Sequence, residues 1–332
     1  MVQMRKLSLL LLILLFSIVQ KGFGQLGPMY SQYMFNTFLL NPAAAGSEGY
    51  TAINLTGRNQ WLGLPGAPQT QAISAQTRIL KNSFIAKALN LRKKYSKRSK
   101  SGRVGIGAFF FNDINGNLRQ TGGQVTYAYH IPLRQSQLSF GLSLSGYQKK
   151  IDKPSVNLGN NNNDPFFNSN SFNRGIVDAN MGIQYSAPLY YAGFAVTNLM
   201  QNSLNFSQGL SNDFLTTRQY ILTGGYKFEV NRFVLIEPTT LIKYSEPNAL
   251  QLDITARAYY REDYWGGLSY RTGANAGSLI FLVGVRVNKY YFGYAFDYTF
   301  AAISSNTFGS HEFMLALKFG ENARRYRWLN RY

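Results

Sequence analysis

Residues 138–144 read Leu-Ser-Phe-Gly-Leu-Ser-Leu, and that stretch decides the fold. Leu138, Phe140, Leu142 and Leu144 alternate with Ser139, Gly141 and Ser143. This is the two-residue period of an extended strand whose two faces meet different surroundings. Outward from it, segments of about ten residues repeat the alternation along nearly the whole chain, with Tyr and Phe gathered at their ends. A soluble sandwich also alternates, but seldom over such a length with aromatic ends. The pattern predicts an all-β fold, a closed antiparallel transmembrane β-barrel. Its apolar row faces lipid, and its small or polar row faces the lumen. Closure follows because a backbone amide left unpaired in lipid is costly.

The chain has 332 residues, with 23 Tyr, 24 Phe and 31 Gly, while Asp, Glu, Lys and Arg make up only 15%. Low charge and high aromatic content suit a protein half of whose strand surface meets lipid. The first 24 residues read as a secretory signal peptide. Arg5 and Lys6 are followed by an apolar run from Leu7 to Val19, and Gly22-Phe23-Gly24 offers a small-x-small cleavage site. That run is shorter than the roughly 20 residues a spanning helix needs. Residues 25–50 form an N-terminal segment, a plug or a periplasmic stretch. Residues 51–319 form the barrel, and 320–332 a basic tail. There is no Cys, so disulfides and a lipid anchor on Cys are both excluded.

Net charge is +19, or +16 without Arg5, Lys6 and Lys21. Much of it lies in two places. Residues 87–103 hold eight basic residues and no acid, and the tail carries Arg324, Arg325, Arg327 and Arg331 against Glu321. In an exported barrel such runs are solvated loops or contacts for anionic head groups or an acidic partner; no nucleic-acid role is expected.

The alternation predicts fourteen strands, near 51–58, 70–80, 103–112, 119–131, 137–149, 177–186, 188–197, 216–227, 232–243, 250–260, 262–272, 277–288, 289–298 and 310–319. An even count returns both ends to the periplasm. The even-numbered connections are then periplasmic, and all but one are short. The exception is the basic stretch 81–102. The long connections 150–176, 198–215 and 299–309 fall outside the cell. Leu250, Leu252, Ile254, Ala256 and Ala258 face lipid, as do Leu279, Phe281, Val283, Val285 and Val287. Asp253, Arg257, Arg286 and Asp297 point inward as a luminal charge network that fills the interior or sets selectivity.

Catalytic chemistry is sparse. His130 and His311 are the only histidines, and Ser310-His311-Glu312 cannot form a triad because neighbours on a strand point to opposite faces. His311 falls on the lipid row at the outer rim, and His130 at an interface position beside Ile131-Pro132. The Gly105-x-Gly107 pair lies within a strand, which excludes a phosphate cradle. No spacing suggests a metal site, and the Asn160–Asp164 run has too few carboxylates for an EF-hand-type loop. We expect no enzyme, no cofactor and no metal.

Several stretches resemble the PorP/SprF family of outer-membrane proteins of the type IX secretion and gliding systems. They are SQYMFNTFLLNPAAAG (31–46), RNQWLGLPGAPQT (58–70), GIGAFFFNDINGNLRQTGGQVTYAYHIPL (105–133), YWGGLSYRTG (264–273), and FGYAFDYTF (292–300) with SHEFMLALKF (310–319). The resemblance implies a non-enzymatic barrel in the cell outer membrane. Its role is then export or surface anchoring of proteins, large adhesins among them, through their C-terminal sorting domains. Implied partners are that secreted protein, the type IX secretion machinery and outer-membrane lipid or lipopolysaccharide. From the topology, Trp61, Phe166, Phe167 and Phe172 are contact candidates for the secreted partner. The competing reading is a FadL-like or porin-like transport channel. There, small luminal residues such as Gly141, Ser143 and Ser145 leave room for a path, and segment 26–46 is its plug.

Overall fold

A computed structural model of the chain describes residues 30–79, 103–133, 136–151, 173–201, 217–246, 249–273 and 277–319. The predicted signal peptide, the basic 81–102 connection, Phe166, Phe167, Phe172 and the tail from 320 lie outside these residues.

Fourteen antiparallel staves form one sheet closed on itself. In chain order they are β1 (Thr51–Asn59), β2 (Gln69–Ile79), β3 (Val104–Asn115), β4 (Leu118–Pro132), β5 (Gln137–Ile151), β6 (Asn173–Ser186) and β7 (Tyr190–Thr197). Next comes β8, in two pieces (Gln219–Tyr226 and Phe228–Asn231), then β9 (Val234–Ser245) and β10 (Ala249–Tyr260). The last four are β11 (Tyr264–Gly273), β12 (Ser278–Val287), β13 (Tyr290–Thr299) and β14 (Ser310–Phe319). The two pieces of β8 are one stave, since Gly225↔Thr239 and Phe228↔Ile236 keep one register with β9. Each stave pairs with the next, and β1 pairs with β14 from Thr51↔Phe319 to Asn59↔His311, which closes the barrel.

One boundary moves. The turn expected at Val230-Asn231 falls instead at Arg232-Phe233. There the Asn231 side chain accepts hydrogen bonds from the amides of Phe233 and Val234, at 2.8 and 2.9 Å. An Asn that caps its own turn lets the strand run up to it. The register slips between Val234 and Leu235, as at a β-bulge.

Burial follows the alternation. Val125, Leu142 and Phe313 are each more than 60% exposed on the outer face, while their neighbours Thr126, Ser143 and Met314 are 5% exposed. An apolar outer surface of this kind is stable only against lipid. We assign the end bearing the start of β1 and the end of β14 to the periplasm, because an even-stranded barrel has both termini there. The short turns at 187–189, 232–233, 261–263 and 288–289 lie at that end, and the loops at 60–68 and 300–309 lie at the other.

The core is not made by the strands alone. Residues 30–49 run inside the barrel through three short 3-10 turns, Tyr33–Phe35, Thr37–Leu39 and Pro42–Ala44. Asn41 starts the third turn: its side chain accepts from the Ala43 amide at 2.9 Å, with Pro42 in the first position. Phe38, Ala43 and Ala45 have no exposed surface. Tyr33 and Met34 form one apolar cluster with Ala195, Ile221, Leu241, Ile280, Leu282 and Ala295 from five staves. A second cluster holds Phe38, Ala44, Ala45 and Ala128.

Candidate functional site

The plug is fixed first at its outer end. Arg58, near the outer end of β1, places Nη2 2.6 Å from Asp297 Oδ2 and Nη1 3.1 Å from Glu312 Oε2. The same Nη1 donates to Ser31 Oγ at 2.6 Å, and that hydroxyl donates to Asp297 at 2.7 Å. Glu312 also accepts from the backbone amides of Ser31 and Gln32, at 2.7 and 2.9 Å. Arg271 extends the group: it pairs with Asp253 at 2.8 Å, stands 3.8 Å from Asp297, and donates to the Tyr30 carbonyl at 3.2 Å. Charges this deeply buried persist because each is paired and hydrogen-bonded. Burial holds the Tyr30 phenol far above its ordinary pKa, and the charges of Glu312 and Asp113 push the same way.

The middle of the plug is held by shape. A side-chain carbon built on Gly105 would stand 2.0 Å from the Ala45 carbonyl oxygen, and one on Gly107 would stand 2.8 Å from the Phe38 ring. One on Gly182 would stand 2.0 Å from the Asn41 side chain. These glycines let the plug approach the wall. Polar contacts fix the register. Asn36 donates to Ser74 Oγ at 2.7 Å, and His130 Nε2 lies 3.0 Å from the Ala45 carbonyl with Nδ1 2.8 Å from Ser139 Oγ. His130 is therefore luminal and has no exposed surface, which corrects its expected interface position. The space expected beside Gly141 as a path is filled by the Pro42-Ala43 backbone.

At the periplasmic end Arg78 donates to the Ser47 carbonyl at 3.3 Å. Lys318 donates to Tyr50 Oη at 2.8 Å and lies 3.8 Å from Glu48. The plug thus runs the height of the barrel, with Tyr30 near the outer mouth and Glu48 at the inner one.

The predicted inward charges divide into three groups. Asp253 and Asp297 are brought together, but through Arg271, which alternation beside Ser269 would have placed inside. Arg257 pairs instead with Glu237 at 2.9 Å. Arg286 binds Asp263 of the periplasmic turn at 2.5 Å, away from the others. Arg58, Glu312 and Glu237 were not counted among the inward charges in the sequence. Glu312 was legible by parity, between the outward-facing His311 and Phe313.

At the outer rim the two loops join: Leu62 donates to the Gly309 carbonyl and Phe308 to the Leu62 carbonyl, each at 2.8 Å. Trp61 adopts a left-handed φ of +49°, uncommon for a bulky residue. Trp61 lines a cavity of about 220 Å³ with Phe296, Tyr298 and Phe308. Phe308 is 76% exposed. His311 sits below on the outer face with Nδ1 2.7 Å from Tyr294 Oη. Among the described residues, no cluster of three His, Cys, Asp or Glu is placed to hold a metal.

Residues 23–317 match the family described as type IX secretion system membrane protein PorP/SprF. The chain belongs to the PorP/SprF family. Nearly the whole barrel, its plug included, is covered by that match. A comparison with curated proteins finds no match. Among solved structures, this PorP/SprF chain is similar to the toluene transporter TbuX of Ralstonia pickettii. Identity is 9% and the TM-score 0.47, over 90% of this chain and 96% of that one. It is also similar to Omp33 of Acinetobacter baumannii, at 7% identity and a TM-score of 0.43, over 82% of this chain and 99% of that one. CdiB from the same organism matches at 7% identity and a TM-score of 0.41 over 81% of this chain; the chain spans 60% of CdiB's length. This PorP/SprF member is an outer-membrane β-barrel of a secretion system.

Proposed function

We propose that this barrel is a non-enzymatic mount. It supports export or cell-surface anchoring of a secreted protein, a large adhesin being the leading candidate, through that protein's C-terminal sorting domain. The observation that carries this reading is the occupied lumen. Residues 30–49 are built into the wall by buried ion pairs at one end, by glycine clearances in the middle and by backbone contacts throughout. Such a core suits a rigid support better than a passage for solutes. The external rim then supplies the contact surface, with Trp61 and Phe308 beside a ready cavity. Large aromatic side chains at the centre of a desolvated contact carry most of the energy of protein association. Membership of the family supports a place beside type IX machinery, and lipid or lipopolysaccharide surrounds the outer wall.

Purification from the native outer membrane in mild detergent tests this. A surface protein with a C-terminal sorting domain should co-purify at stoichiometric level. It should be lost when Trp61 and Phe308 are both changed to Ser in a barrel that still folds. Recovery of the barrel alone, where other type IX complexes survive the same detergent, would overturn the anchor.

A further inference from the structure

Beside the plug residue Phe35, toward the periplasmic end of β10 and β11, is a group of residues that the mount does not use. Arg257 is 2% exposed and lies four residues before Arg261 of the periplasmic turn, about 13 Å along the strand. Its Nη2 binds Glu237 at 2.9 Å. Its guanidinium lies 4.8 Å from the Phe35 ring centre and 5.5 Å from that of Tyr259. Guanidinium N–H groups are obligate donors that a buried site must satisfy. Yet Nε and Nη1 have no hydrogen-bond partner among the described residues. Nor has the indole Nε1 of Trp265, which is 5% exposed. The Trp265 ring stands 4.9 Å from Phe35, so both unsatisfied groups border the same plug residue. Glu237 takes up only one of the guanidinium nitrogens, Nη2. Tyr191 and Tyr259, both half-buried, stand near the periplasmic ends of β7 and β10.

Spare cationic donors, a spare indole N–H and aromatic walls describe a receptor for an anion with an apolar body. We propose that Arg257 and Trp265 form a luminal site, entered from the periplasm, for a carboxylate carried on an aromatic or aliphatic group. The carboxylate accepts from Arg257 Nη1 and Trp265 Nε1 while the body packs on Phe35 and Tyr259. The carboxylate comes either from a free organic acid or from the C-terminal residue of a peptide.

Calorimetry on the purified full-length barrel in mild detergent tests the site with three probes: 3-phenylpropanoate, acetyl-Ala-Ala-Phe with a free carboxyl end, and the same peptide amidated. At least one of the two carboxylates should bind, and the amide should not. Binding of phenylpropanoate assigns the site to free acids, whereas binding of the free peptide alone assigns it to chain ends. Trp265→Phe keeps the ring and removes one donor, and should weaken binding about tenfold. A double variant, Arg257→Gln with Glu237→Gln, removes the cation without leaving a lone buried acid, and should abolish binding in a barrel whose heat-dependent gel mobility shows it folded. The proposal is overturned if neither carboxylate binds, if the amide binds equally well, or if Trp265→Phe leaves the affinity unchanged.

Discussion

A side-chain carbon added to Gly141 would stand 2.2 Å from the backbone nitrogen of Ala43, although the two residues belong to opposite partners of the fold, wall and plug. Gly141→Leu should therefore drive Pro42-Ala43 off the wall. In planar bilayers we expect a nearly silent wild-type barrel and stepwise currents from the variant. Gly146→Ala, where no atom lies within 4 Å, should behave as wild type. Equal currents from all three would mean that the plug does not seal the lumen.

Arg58 is the only cation bound to both Asp297 and Glu312 among the described residues, apart from the longer approach of Arg271 to Asp297. Arg58→Ala leaves buried carboxylates short of their partner, which costs about 3–5 kcal/mol. Urea titration followed by gel mobility should show a lower midpoint. Arg58→Lys keeps the charge and should recover part of the loss. An unchanged midpoint for Arg58→Ala would remove the outer cluster as the plug's main fastening.

The strand faces of this barrel were legible in the sequence because period-two alternation needs no partner. Leu250 to Ala258 and Leu279 to Val287 read outward from alternation alone, and their more exposed side chains lie on that face. What touches what was not legible. Gly105, Gly107 and Gly141 look the same in sequence whether they bend a strand, leave a path or clear a plug; only the position of residues 38–45 decides between these. Alternation placed Arg257 and Arg286 inside, but their acids, Glu237 and Asp263, depend on register and on a turn. Ser31 to Gly46 reads apolar and aromatic because it is core for a wall made mostly of small and polar residues.

The sidedness has its own test, and the absence of cysteine makes it clean. Phe308→Cys should react with a membrane-impermeant maleimide on intact cells. Arg232→Cys, in an exposed turn at the opposite end, should react only after the outer membrane is permeabilised. The reverse pattern would invert the barrel and move the Arg257 site to the cell surface.

Alkaline pH should loosen the plug. Burial raises the phenol pKa of Tyr30, near the outer mouth. A group whose folded pKa lies above its unfolded value lends stability that is complete below the unfolded value, near 10 for Tyr, and is lost as pH climbs above it. That phenol contributes a slope of up to ~1.4 kcal/mol per pH unit in that window. Urea midpoints should be level from pH 7 to about 9 and fall beyond about 10. Tyr30→Phe should flatten the fall, and an identical decline in that variant would show that other phenols govern it.

Arg58 and Glu312 are also register partners across β1 and β14, the first and last staves, and Glu312 holds the amides of Ser31 and Gln32. The weld that completes the cylinder and the latch that seats the plug are therefore one set of atoms. Seam and plug share one fastening: a change that unseats Ser31 and Gln32 also strips the β1–β14 junction of its buried partners, and it would show as an unpaired strand edge as well as a leaking pore.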